Sequence, residues 1–576
     1  MGLNSMKAFL LSALVLLVLA GHAAAADTAT NVFESPAPPQ PAGEIDRLVF
    51  AKLSSLGIRP VGCSDAVFVR RAYLDVIGTL PTAEEAREFL QDPDKKNKRN
   101  ALIDRLLARN EFAVYWAMKW SDILRIKAEF PVNLWPNAAQ AYHRWVLASL
   151  SANKPYDQLV REMLTSSGSN FRVGPVNFYR AVQSKTPETI ASAVALTLMG
   201  TRTDAWNPDR LQGMAVFFSQ IGFKPTSEWK EEIVFWDPLQ ASRVPTSIAP
   251  GRDAVIAVVR GPSAEPAAEP ATKPATASVT PAEAGPLTAV FPDGTKVQIP
   301  PDQDPREVFA DWLITAENPW FARCIVNRVW AWLLGRGIIH EPDDIREDNP
   351  PSNPALLAYL EKEFVAGGYD LQRLYRLILN SRTYQLSSTP RFNTPAADAN
   401  FASYPIRRLE AEVLIDAVNQ ITGTSDFYTS PIPEPFTNIP RDVRAIAIAD
   451  GSISSSFLTL FGRSARATGM ENERDNKPVP AQWLHMLNSS QIQQKLEQSP
   501  KLRELLAAHA RSPRELVEQL YLTVLSRQPT AQEMRLALEY NSSSAAPTRT
   551  GGWKQRSDWL DIAWALINNT EFLYRH

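Results

Sequence analysis

Apolar positions recur at helical spacing from Gly43 to about Phe223. In "IDRLVFAKLSSLGI", Ile45, Leu48, Val49 and Leu53 fall near one face. The run "SDAVFVRRAYLDVIG" predicts a helix with Ser64 as N-cap and Gly78 as its stop. Pro81 then precedes Thr82 and, three residues on, Glu85, a capping-box signature. "RNALIDRLLARNEFAVYWAMKWSDILRIK" supplies two more helices, and Trp116 with Trp120 at i,i+4 reads as core packing. "DRLQGMAVFFSQI" reads as a further helix, with Asp204, Asn207 and Pro208 as the turn and cap residues before it.

The pattern changes after Lys230. "EEIVFWDP", "DAVIAVVRG" and "LTAVFPDGTKVQIPP" are short β-type runs, the last with Asp293-Gly294 as a hairpin turn. Between them, residues 262–286 are a low-complexity Pro/Ala stretch. Helical patterning resumes at Asp304, is interrupted by an irregular, Pro-rich excursion from about Gly423 to Ser455, and closes with helices over roughly 481–498, 500–510, 514–526, 531–540 and 553–571. The expected fold is mainly α: two multi-helical domains, 43–230 and 304–576, joined by a small β-containing segment over 231–303.

An internal echo links the two ends. "YLDVIGTLPTAEE" (73–85) parallels "YLTVLSRQPTAQE" (521–533), and "LLARNEF" (106–112) parallels "LINNTEF" (566–572). Two copies are too few for a solenoid, so the expectation is a similar helical hairpin at each end, the two packed together.

The first 26 residues carry Lys7, the 14-residue apolar run Ala8–Gly21 and small residues near Ala25, which read as a cleaved export signal. A retained anchor is the competing reading, but a span needs about 20 apolar residues, and no later stretch is long enough. Residues 27–42 read as a disordered leader, and the expected location is periplasmic or secreted. A formal net charge of −2 lacks the cationic excess of a nucleic-acid binder. Cys63 and Cys324 are 261 positions apart, outside any CxxC pattern, and read as separate small hydrophobes.

The densest polar cluster is "GRGIIHEPDDIREDNPPSNP", with His340, Asp343, Asp344, Arg346, Asp348 and Asn349. His340 with the two aspartates has the chemistry of a general acid/base site. The bland reading is an ordered loop whose aspartates cap helices and pair with arginines. Asn327 and Arg328 lie on an otherwise apolar helix, and a buried arginine needs a partner, which the Asp343/Asp344 loop offers. Arg408, Glu412 and Asp416 at i,i+4,i+8 predict a shared helix face with an Arg408–Glu412 pair. No HExxH, G-x-S-x-G, P-loop or dinucleotide fingerprint occurs, so no metal or cofactor is assigned.

These segments resemble a planctomycete-type pair of domains of unknown function, 1549 and 1553, that accompany cytochrome c modules. "IDRLVFAKLSSLGIRP…FVRRAYLDVIGTLPTAEEAREFL", "LIDRLLARNEFAVYWAMKWSDILR" and "YHRWVLASLSANKPYDQLVREML" carry the first resemblance. "ADWLITAENPWFARCIVNRVWAWLLGRGII", "DDIREDNPPSNPALLAYLEKEFV", "RRLEAEVLIDAV" and "FGRSARATGMENERDNKPVPAQWLHMLNSSQI" carry the second. Two departures stand out. The CxxCH-like segment of many relatives is missing after Met199, and "MENER" (470–474) stands where relatives have Cys-x-Cys-Glu-Arg. Either a haem or metal chemistry is lost here, or structural cysteines have been replaced by other packing. The resemblance implies a haem-free, exported binding or assembly component whose partner is an exported protein or polymer. The alternative is an extracytoplasmic enzyme, acting on complex carbohydrate, with a site at His340, Asp343, Asp344 and Arg328.

Overall fold

The computed structural model describes residues 31–240, 286–543 and 551–576. The export segment, the "DAVIAVVRG" run and nearly all of the 262–286 stretch lie outside the described residues. The rest is mainly helical, as the periodicity predicts, with three small antiparallel sheets among the described residues.

Local chemistry sets most boundaries. The Ser64 hydroxyl caps the helix Asp65–Val76, and Thr82 with Glu85 forms the capping box of Ala83–Gln91. Asn207 caps Pro208–Ala215, but this helix is shorter than its pattern implies. It passes through a tight turn at Val216–Phe218 into the strand Ile221–Pro225. That strand pairs with Glu232–Trp236, which also pairs with Gly168–Ser169. The Leu287–Val290 and Lys296–Ile299 strands form the expected hairpin, with Gly294 at φ +90. The single helix expected over 481–498 is two, Pro480–Asn488 and Ser490–Glu497, because Ser489 ends one and caps the next. Part of the leader read as disordered is held in place. Glu34 bridges Cys63, and the Ser64 hydroxyl donates to the Val32 carbonyl. Those partners are distant or polar, so no periodicity announces them.

The two helical halves share one core. Trp116 and Trp120, on the helix Asn110–Ile123, bring their rings 5.4 and 5.9 Å from that of Trp332 in the other half. Tyr156 stacks on Phe321 at 5.0 Å. A chain of buried ion pairs crosses the same seam. Asp122 accepts from Arg466 (2.9 Å) and Arg474 (2.7 Å), and Arg474 also reaches Glu412 (2.6 Å). Glu410 takes Lys119 (2.7 Å) and Arg575, and Arg575 lies 3.3 Å from Asp75, which accepts from the Tyr384 and Tyr404 hydroxyls. Each charge is tolerable inside only because its neighbour has the opposite sign.

The internal echo is structural. Gly78 and Ser526, at equivalent positions, both end their helices in the left-handed region, at φ 60 and 59. Thr530 and Glu533 exchange the same two hydrogen bonds as Thr82 and Glu85. In the first copy Arg109 bridges Glu85 (2.8 Å) and Glu111 (2.5 Å). In the second Arg527 bridges Glu533 and Glu571, both at 2.7 Å. The two arginines come from non-equivalent positions yet close the same triangle, and each also lies over the equivalent tyrosine, Tyr73 or Tyr521. The copies touch: Pro513–Leu525 packs on Ala83–Gln91, and Arg70 donates to the carbonyls of Val524 and Phe572, both at 2.9 Å.

Candidate functional site at the Arg328 junction

The helix Phe321–Leu334 is buried over nearly its whole length and ends at Gly335, φ +72. Its polar residues organise the loop that follows. The Asn327 side chain accepts the Ile339 N–H and donates to the Ile339 carbonyl, both at 2.9 Å, so it reads that backbone as a strand would. Arg328 is fully buried. It donates to the carbonyls of Thr197 (2.8 Å) and Leu196 (3.2 Å) and to Asp343 Oδ1 (2.8 Å). The expected ion pair therefore forms with Asp343. Burial works against the Arg328 charge, but Asp343 and the Cys324 sulfur beside it outweigh that and raise its pKa further.

The other Asp343 oxygen accepts the Glu471 N–H at 2.6 Å, and Glu471 in turn accepts from the Trp332 indole at 2.7 Å. Burial raises the Glu471 pKa. Asp344 pairs with Arg202 (3.0 Å) and Arg346 (3.2 Å), and Arg346 also approaches Asp348 (3.4 Å). Asn349 donates to the carbonyls of His340 and Asp344, both at 2.9 Å. The loop is further tied to the crossing after Met199. Ile345 N–H donates to the Gly200 carbonyl, and Thr201 Oγ donates to the Ile345 carbonyl, both at 2.8 Å.

Three segments distant in sequence thus converge on Arg328: 196–202, 339–349 and 470–474. The crossing after Met199 and the "MENER" stretch are thus both here, against the same loop. Sequence reasoning missed Glu471, Trp332 and Thr197 as members. In the sequence Glu471 stands only as one of several charged residues in a polar stretch, and nothing there signals its contact with Asp343.

His340 sits apart. It is exposed, its carbonyl takes the Asn349 amide, and among the described residues no hydrogen bond or ion pair engages its ring. Partial burial and Arg336 lower its pKa. Cys324 is buried under the junction with its sulfur 3.7 Å from the Thr197 carbonyl. Burial pushes its thiol up to about 11 despite Arg328. Cys63 and Cys324 are both free thiols. Among the described residues no group of three or more His, Cys, Asp or Glu is placed to hold a metal ion, and no helix is long and apolar enough to cross a membrane.

The predicted Arg408–Glu412 pair does not form. The helix begins only at Ala411, because Arg407–Arg408 is a short strand paired with Tyr574–Arg575. Arg408 instead donates to the carbonyls of Leu409, Phe461 and Asp475. Glu412 belongs to Arg474 and Arg463, and Asp416 accepts the N–H groups of Ala445 (2.8 Å) and Ile446 (3.2 Å).

The fold and junction define a two-part, mainly helical protein whose halves interlock through buried charge. Residues 44–205 match the family PSCyt2, a protein of unknown function (DUF1549), and residues 305–541 match PSD1, a protein of unknown function (DUF1553). The chain thus carries both domains in series, the pair its sequence resembles. The comparison with curated proteins found no match, and neither did the comparison with solved structures.

Proposed function

We propose that the protein is a haem-free binding or assembly component that acts outside the cytoplasm, on an exported protein or polymer. One observation carries this reading. The aspartates that sequence offered as catalytic are committed to structural work, Asp343 to Arg328 and the Glu471 amide, Asp344 to Arg202 and Arg346. A general base must be free to reach a substrate proton, and both oxygens of each carboxylate already hold partners that fix the loop. The two domain matches and the export-type N-terminus support the location. The missing thiol patterns support the absence of covalent haem, which is tethered through paired cysteines.

Two measurements test this. The purified protein should show no Soret band, and a band that survives denaturation overturns the haem-free reading. Intact mass of protein from the exported fraction should show loss of a segment ending near Ala25 or Ala26. Full-length protein confined to the cytoplasm overturns the location. A second reading keeps His340 as an acid/base group of a carbohydrate-active enzyme, with Asp343, Asp344, Asn327, Arg328, Arg346, Asp348 and Asn349 around it. The exposed, unengaged His340 ring favours it. Turnover of a polysaccharide panel that His340→Ala abolishes would establish it in place of the first.

A further inference from the structure

A shallow, solvent-open depression lies on the seam between the two halves, away from the Arg328 junction. Its floor is backbone from both halves: Ser387 N–H donates to the Val61 carbonyl at 2.7 Å, and Tyr404 N–H to the Ser387 carbonyl at 3.0 Å. Arg59 lines it from the first half and Arg391 from the second, with Ser387, Thr389, Phe392 and Ser403 completing the wall. No carboxylate lines it. Beside it, Glu34 is occupied by Arg391 (2.8 Å) and by the Ser387 hydroxyl (3.1 Å). Among the described residues nothing hydrogen-bonds to or pairs with Arg59 or the Thr389 and Ser403 hydroxyls. Phe392 leaves 40% of its surface in solvent.

We infer that this depression binds an oxyanion, a carboxylate or sulfate group, on a molecule whose apolar face lies over Phe392. Arg391 already has a carboxylate partner in Glu34, whereas Arg59 is exposed and free to take an anion. Guanidinium and hydroxyl donors around a concave wall are the groups that recognise planar or tetrahedral oxygen acids. The exposed ring supplies a surface for the ligand body beyond the anion. The site is independent of the Arg328 junction, so it stands or falls apart from the function proposed above.

The test is microscale thermophoresis of the purified chain at low salt, with glucuronate, sulfate, glucose and an oligoglucuronate as probes. Glucuronate and sulfate should bind, more weakly as salt is raised, and glucose should not. Arg59→Gln should weaken both acids about tenfold, the loss of one charge-assisted contact. Phe392→Ala should weaken glucuronate and leave sulfate unchanged. Both positions are exposed, and melting temperatures equal to that of the unaltered chain show that the variants are folded. An oligoglucuronate that binds tighter than the monomer identifies an acidic polymer as the source of the anion, and equal affinity identifies a small acid. Failure of both acids to bind, glucose binding as well as glucuronate, or unchanged affinity in Arg59→Gln overturns the proposal.

Discussion

Replacing Asp343 by alanine removes two contacts at once from the centre of the Arg328 junction. Arg328 loses its carboxylate at 2.8 Å, and the Glu471 N–H loses its acceptor at 2.6 Å. Arg328 keeps the Thr197 and Leu196 carbonyls, so its charge is not stripped of all partners. A charge-assisted hydrogen bond contributes about 1.5–3 kcal/mol and an orphaned buried amide costs about 1–3 kcal/mol. Asp343→Ala should therefore destabilise by about 3–5 kcal/mol, the range for breaking one side of a buried pair. Arg328→Met should cost a similar amount, since it leaves the Asp343 charge buried. The double variant should cost less than the sum by about 2 kcal/mol or more, because neither charge is then stranded. Urea titration followed by tryptophan fluorescence gives the three values, provided the slope is unchanged between variants. Hydrogen exchange at the Glu471 amide gives a local readout and should speed up in Asp343→Ala. A cost below about 1 kcal/mol for Asp343→Ala, or strict additivity in the cycle, would refute the reasoning. It would mean that water reaches both charges.

Burial pushes the Asp416 carboxyl up to about 6, against Arg444 and the two backbone N–H groups it accepts. The folded protein then holds a proton that the unfolded chain has released, so stability should fall by about 3 kcal/mol as pH rises from the usual aspartate range through 6. Asp416→Asn should flatten that slope in pH-dependent urea titrations. Burial also opposes the Glu412 charge, but Arg474 and Arg463 hold its pKa down at about 2. Its contribution is present above the usual glutamate pKa and is lost as pH falls towards 2; Glu412→Gln should remove this acid-side loss and lower stability at neutral pH. Gly78→Ala adds a methyl that would sit 2.4 Å from the Tyr115 ring at φ +60, and should cost about 2 kcal/mol or more. Ser526→Gly, at the equivalent place in the second copy, relieves a non-glycine residue at φ 59 and should raise stability by about 0.5–1 kcal/mol; urea titration checks both variants.

The candidate site was legible in part. Arg328 and Asp343 could be paired on paper, because a lone arginine in an apolar helix must find an acid and the next loop is rich in them. Glu471 could not, since 128 residues separate it from Asp343 and its contact is made through a backbone N–H that has no sequence signature. Arg408 and Glu412 were misjudged for a related reason. Their i,i+4 spacing assumes a helix through both, and a two-residue strand against Tyr574–Arg575 shortens that helix.

By itself, the sequence determined what short-range physics controls. Helices with their caps, the Asp293-Gly294 hairpin, the tryptophan face of Asn110–Ile123 and the repeated Thr-Ala-x-Glu box all follow from spacing within a few residues. Only the tertiary structure decided which buried charge meets which, that the two echoed hairpins touch, and that the crossing after Met199 and the "MENER" stretch lie against one loop. An arginine at the end of a flexible side chain can satisfy any acid within reach. Its partner is fixed by which helices the shared core brings together, and not by its neighbours in the chain.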